Sequence, residues 1–327
     1  MLKYYLRRVL YIVVVFFLVS IIMFTIYKFT PVDPVELYAA DMQTVMTPAE
    51  FEIYKQTVRD YLGLDRPLVV QYFSWISRML TGDFGRSLVH RQPVLQVIRI
   101  PLSNTLRLNA IVMLFVFAIT IPLGITIAVR KGTVYDNTVQ VITILGISLP
   151  AFITSLATML LFAIILGILP LTGARTPGLT GTPMVMFLDS AKHMVMPIMV
   201  SVFTSLGGLT RYIRATMIEA LRTDYVRTAR AKGLTEKVVI YSHAFRNSLI
   251  PFVTILVAWF IGLFSGSVMI ERIFLWNGMG NLFISSVMQF DYAVVLAVGM
   301  FYVFIGLIGN LLIDIIYTFV DPRIRLT

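Results

Sequence analysis

The side chains able to do chemistry are few and scattered. His90, His193 and His243 are the only histidines. None opens an HExxH pair, and no GxSxG turn presents a serine nucleophile. Cysteine is absent, which removes disulfides, thiolate-held zinc or iron–sulfur centres and a thiol nucleophile. No glycine precedes a lysine anywhere, so the chain lacks the P-loop whose backbone amides cradle phosphates. What remains is charge in a particular place. Glu219–Pro251, EALRTDYVRTARAKGLTEKVVIYSHAFRNSLIP, is the longest polar stretch bearing Arg and Lys after residue 100, and it lies between two hydrophobic runs. Such a stretch can dock on a partner or lie on anionic lipid, but it holds no residue set that makes or breaks bonds.

Its spacing predicts two short helices with a break. Met217, Leu221, Tyr225 and Ala229 recur every four positions and mark one helical face, flanked by Arg222, Arg227 and Arg230. Gly233 stops this helix, because glycine takes the left-handed conformation of a C-terminal cap while Arg230 and Lys232 suit the negative end of the helix dipole. A second helix is expected from Thr235, with Val238, Val239, Ser242 and Phe245 on its thinner inner face.

The elements that must hold this segment are membrane spans. Of 327 residues, 58% are hydrophobic and 13% charged, and the mean hydropathy is +0.85. That composition marks an all-α integral membrane protein. The net charge of +10 does not point to nucleic acid, because the basic residues sit in short segments between apolar runs, as the positive-inside rule requires. Lys3, Arg7 and Arg8 precede an apolar run, Val9–Tyr27, read as an uncleaved anchor within residues 1–30. Residues 31–100 form a large outer loop between spans 1 and 2, where eight acids from Asp33 to Asp83 offset seven bases from Lys55 to Arg99. Thr47, Pro48 and Glu50 predict a helix start there. Leu64, Leu68, Val69, Tyr72, Phe73, Trp75, Ile76 and Leu80 predict amphipathic helices on the membrane or on the protein itself.

Residues 101–327 form the core with the remaining spans. Span 2 covers Leu108–Val129, and span 3 is expected as one long helix from Asn137 to about Leu169, kinked at Pro150. Span 4 is expected at about His193–Tyr212, span 5 at Asn247–Ile270 and span 6 at Tyr292–Phe319. Six transmembrane helices with both termini cytoplasmic put fifteen Lys and Arg inside, against Arg175, Lys192 and Arg272 in the two short outer loops. Asp314 lies within span 6 and is read as structural, near the inner surface. Arg107 and Glu271 are read as interfacial anchors. Gly262, Ser265 and Gly266 are read as small residues permitting close helix approach.

Several motifs carry a resemblance over essentially the whole length. They are LGLDRPLVVQY (Leu62–Tyr72), GDFGRS (Gly82–Ser87), GISLPAF (Gly146–Phe152), DYVRTARAKGL (Asp224–Leu234), HAFRNSLIP (His243–Pro251), ERIFLWNGMG (Glu271–Gly280) and DPRI (Asp321–Ile324). With them the chain resembles the B-type permease subunit of the dipeptide/oligopeptide family of ABC importers, whose relatives also carry nickel, glutathione and some oligosaccharides. The resemblance implies the type I ABC importer permease fold and identifies residues 214–248 as the EAA coupling loop, which docks on a cytoplasmic ATPase. It assigns that role to Glu219, Ala220, Asp224, Tyr225, Thr228, Ala229, Ala231, Lys232, Gly233, Leu234, His243, Arg246 and Asn247. The general importer pattern has Glu six residues before the glycine and Leu-Pro after it; here Arg227 and Phe245-Arg246 stand there, so contacts known in other importers are not carried onto them. Asn277 stands where the resemblance leads one to expect proline, so that outer turn is expected to be less rigid.

The implied assembly is a heterodimer with a C-type permease, two cytoplasmic ABC ATPases and an extracytoplasmic substrate-binding protein, in a prokaryotic plasma (inner) membrane. The chain itself is expected to be non-catalytic and to bind no cofactor, with ATP and magnesium on the partner subunits. The favoured cargo is a di- or oligopeptide. The competing readings are a stand-alone channel or secondary transporter, a scaffold, and a basic loop that only lies near anionic lipid.

Overall fold

In the computed structural model the described residues are 2–29, 33–39 and 42–320, with the side chains of 2–5, 37–38, 61–62, 249–251, 253 and 317–320 left aside. The DPRI motif at Asp321–Ile324 lies outside them. Among the described residues there is no β-strand. In order the helices are α1 (Leu2–Lys28), α2 (Pro34–Ala39), α3 (Pro48–Leu62), α4 (Leu68–Leu80), α5 (Val94–Val129), α6 (Val134–Ser148) and α7 (Ala151–Met159, continued as a π-helix to Ile165). They continue with α8 (Pro183–Ala220), α9 (Asp224–Ala231), α10 (Glu236–Val238, continued as a π-helix to Phe245), α11 (Arg246–Gly262), α12 (Val268–Ile273), α13 (Met279–Met288) and α14 (Tyr292–Val320).

Among the described residues four helices are long and apolar enough to cross a bilayer: α1 from Leu6, α5, α8, and α14 to Ile316. The α6–α7 pair makes a fifth if taken as one span, but it bends by 101°. The sequence led us to expect a kink at Pro150; the structure breaks the helix there. Leu149 is extended (φ −79°, ψ 125°) because the proline ring disfavours helical geometry in the residue before it, and Pro150 then caps α7. α11 has 17 residues, the lower edge of what crosses a bilayer, and ends before the expected limit at Ile270.

The chain divides into two compact units. The first holds residues 1–102 and 282–308. Its core joins Phe16 and Met23 of α1 to Tyr72, Trp75, Ile76 and Met79 of α4 and Met300 of α14. Most of the exposed α1 side chains, such as Leu10, Val14 and Leu18, are aliphatic, as a lipid-facing helix requires. In α3, Thr47 and Glu50 form the expected capping box, each side chain taking up the other residue's amide. α4 differs from a simple amphipath: Leu68, Val69, Phe73 and Leu80 are exposed on its second face. The GDFGRS loop is held by Asp291, which is buried and accepts from the Ser87 hydroxyl and from the Leu88 amide at 3.2 Å.

The second unit holds residues 103–281 and 309–320. α6 and α8 cross closely, because a Cβ on Gly146 or Gly207 would strike the carbonyls of Phe203 and Thr143. Glu271 corrects the sequence reading. It is 1% exposed rather than an interfacial anchor, and accepts from the Thr105 hydroxyl at 2.9 Å and the Asn281 amide at 2.8 Å. A Cβ on Gly278 would run into its carboxylate and one on Gly280 would strike the Val268 backbone nitrogen, which explains the glycines of ERIFLWNGMG, while one on Gly266 would meet both the Gly280 nitrogen and the carboxylate. Burial pushes the Glu271 carboxyl above the usual carboxylate range, while the Asn281, Thr105 and Gly280 donors oppose the shift. Of the small residues thought to permit close approach, Gly266 does so and Gly262 faces open space. Around Asn277 the turn is tied by Trp276 N–H to Glu271 O (2.7 Å) and by Asn104 Nδ2 to the Asn277 carbonyl (2.8 Å).

Candidate functional site

The polar segment emerges as an extension of α8. The sequence predicts one helix from Met217 to Lys232, but the structure interrupts it at Leu221–Thr223. The Thr223 hydroxyl donates to the Ala220 carbonyl (2.5 Å), a local bond that competes with the helix ladder, and Thr223 itself is extended as the N-terminal flank of α9. The break shifts the inner face. Met217, Ala220, Val226 and Ala229 are buried, whereas Tyr225, expected inside, is 41% exposed. These buried residues join Val239 and Ala244 in one core with Val116 and Ile125 of α5, so the segment is seated on spanning helices.

Gly233 ends the helix as expected, at φ +76°. Its amide donates to Arg230 O (2.9 Å) and that of Leu234 to Ala229 O (3.4 Å), taking up carbonyls the helix leaves open. Arg230 then reaches both oxygens of Glu236 (2.8 and 3.3 Å), strapping the end of α9 to the start of α10. From Val239 the chain runs as a π-helix straight into α11, so motion of the segment would pass into that helix.

Of the residues singled out by the sequence, Ala220 and Ala229 face the core. Glu219, Asp224, Tyr225, Thr228, Ala231, Lys232, Gly233, Leu234, Arg246 and Asn247 are exposed, and His243 is half-buried. Asn247 Nδ2 donates to His243 O (3.0 Å) and Thr228 to Asp224 O (2.9 Å). Arg227 pairs with Asp224 at 3.3 Å on the open surface, an ion pair worth at most about 1 kcal/mol. The outer face thus mixes cations with the half-open apolar side chains Tyr225, Leu234, Val238 and Tyr241.

Sequence reasoning missed the clasp at the base of the segment. Asp136, fully buried, receives Arg214 Nε and Nη2 at 2.8 and 2.7 Å, the Gly132 amide at 2.9 Å and Gln140 Nε2 at 2.9 Å. It ties the α5–α6 turn to α8 where the polar segment begins. The signal was present: Thr133 followed three residues later by an acid is a helix-start pattern, and Thr133 does accept from the Asp136 amide (3.3 Å). Nothing in the local sequence around Arg214 marks it as the partner of an acid 78 residues away.

Residues 120–326 match the family described as binding-protein-dependent transport system inner membrane component, and residues 1–109 match the N-terminal region of such membrane components. The chain belongs to this family. The oligopeptide transport system permease protein AppB of Bacillus subtilis is 35% identical over 99% of this chain and all of its own length. The glutathione transport system permease protein GsiC of Salmonella typhimurium is 33% identical over 99% of both chains. As a member of this ABC importer permease family, the chain is a multi-pass membrane component of a transport system that works with a binding protein.

Proposed function

We propose that the chain is the B-type membrane subunit of a peptide importer and that residues 214–248 couple it to two cytoplasmic ATPases. The observation that carries this is a capped helix with an exposed mixed face, in a short segment that joins the long helices α8 and α11, in a chain without a nucleotide-binding motif. ATP-driven closure of the ATPases would move α9, and α8 and α11 would follow, rocking the spans between inward- and outward-open states. In this reading six spans cross the membrane, with the α6–α7 pair and α11 completing the set and both termini in the cytoplasm. A C-type permease supplies the other half of the path. This chain holds no cofactor; ATP and magnesium belong to the ATPases. Peptide is favoured by the likeness to AppB, and glutathione, itself a short peptide, is the second reading, supported by the likeness to GsiC.

The test replaces Gly233 with valine in the reconstituted complex. Nothing lies within 4 Å of where a Cβ would stand, so the substitution strains only the cap. Transport and transport-stimulated ATP hydrolysis should fall while membrane insertion is unchanged; wild-type coupling would overturn the assignment. Co-purification without any ATPase would favour the stand-alone transporter instead.

A further inference from the structure

Resting on the importer reading above, we infer that one face of α8 is this subunit's wall of the aqueous transport path. Ser201, Thr204, Ser205, Gly208, Tyr212 and Ala215 fall within a sector of about 120° at ~100° per residue, and Arg211 stands at its edge. None of the seven is buried, and none is aliphatic beyond a methyl group or two. The opposite face, with Val202, Leu209, Ile213 and Met217, is buried in the core. Lipid-exposed helices of the same chain look different, since the exposed side chains of α1 are mostly aliphatic. An open face of hydroxyls and a guanidinium on a spanning helix belongs against water or protein, not hydrocarbon.

Two clefts lie along this face. The first, of about 450 Å³, is lined by Ser201, Thr204 and Ser205 together with Asn109 of α5, Trp259 of α11 and Ser265. The second, of about 440 Å³, is lined by Gly208, Arg211, Tyr212 and Ala215 with Gln140 of α6. The two linings meet between Ser205 and Gly208, less than one turn apart. Neither contains a carboxylate, and Arg214, which also borders the second, is held by Asp136. The lining therefore offers neutral hydrogen-bonding groups followed by the cation of Arg211, which forms no ion pair among the described residues. It suits a cargo of backbone amides that is neutral or anionic, and it disfavours a polycation.

The absence of cysteine makes the test direct. Single variants Ser201→Cys, Ser205→Cys and Gly208→Cys, with Leu114→Cys and Leu156→Cys as aliphatic-surface controls, would be exposed in the assembled importer to an anionic and a cationic methanethiosulfonate of similar size. The α8 variants should react about tenfold faster or more than the controls, because the reactive thiolate forms only where water reaches it. At Gly208→Cys the anionic reagent should react faster than the cationic one, and Arg211→Ala should remove that preference. Unreactive α8 cysteines, as expected if this face is sealed against the second permease, would overturn the proposal; so would a charge preference indifferent to Arg211. Repeating the labelling with ATP and vanadate separates the two ideas. Reactivity unaffected by nucleotide would keep the aqueous wall and count against ATP-driven coupling.

Discussion

Two glycine-bearing segments, DYVRTARAKGL and ERIFLWNGMG, stand out equally in the sequence, yet their physics is opposite. At Gly278 and Gly280 the glycine is demanded by space, because Glu271 at the first and the backbone of Val268 and Gly266 at the second fill the place a side chain would take. At Gly233 it is demanded by backbone conformation, φ +76° with open space around it. The acids differ likewise: Glu271 is buried among fixed donors, whereas Asp224 and Glu236 pair with arginines on the surface. One segment is a closed knot that defines the fold. The other holds its shape from beneath and leaves its outer face exposed.

The largest effect should come from the clasp that joins these two styles, a buried acid at the base of the open segment. Asp136→Ala strands Arg214 among helices and should cost about 3 kcal/mol, the low end for a broken buried pair because Arg214 keeps 19% of its side chain in solvent. Thermal unfolding in detergent, followed by tryptophan fluorescence, would measure it. A loss no larger than that of a surface pair would mean the clasp is an ordinary surface contact. Next comes Gly278→Ala, expected to cost roughly 1–3 kcal/mol by overpacking against Glu271. Trp276, buried beside that turn, should report the disturbance as an altered emission maximum.

The sequence made much of this architecture legible, for identifiable reasons. Apolar runs located α1, α5 and α14, since a bilayer demands unbroken hydrophobic length. The helix start at Thr47 and the cap at Gly233 were legible because each depends on its own few residues. Long-range matters were not. The face of α9 was misjudged by assuming an unbroken helix past Thr223, and one carboxylate at Glu271 could not be told from an anchor until Thr105, 166 residues away, was seen donating to it. The same holds for Asp136 and Arg214, 78 residues apart, and for Ser87 and Asp291, 204 apart. Side chains paired across a fold leave no local period to read.

The smallest effect is the most discriminating. Arg230→Ala removes the strap to Glu236, both partners being largely in solvent, so its loss should change stability by no more than about 1 kcal/mol. Its consequence for transport depends on what the segment is for. A loop that only rests near anionic lipid would lose one of several cations and change little. A coupling element would lose the bond fixing α9 to α10, and ATP hydrolysis should then persist with less transport per ATP. Charge reversal of both residues together, Arg230→Glu with Glu236→Arg, keeps the strap and the net charge while exchanging the positions. Recovery of the transport-to-hydrolysis ratio in that double variant would assign the effect to the strap. Failure to recover would assign it to the Arg230 cation itself, as a contact on the partner's surface.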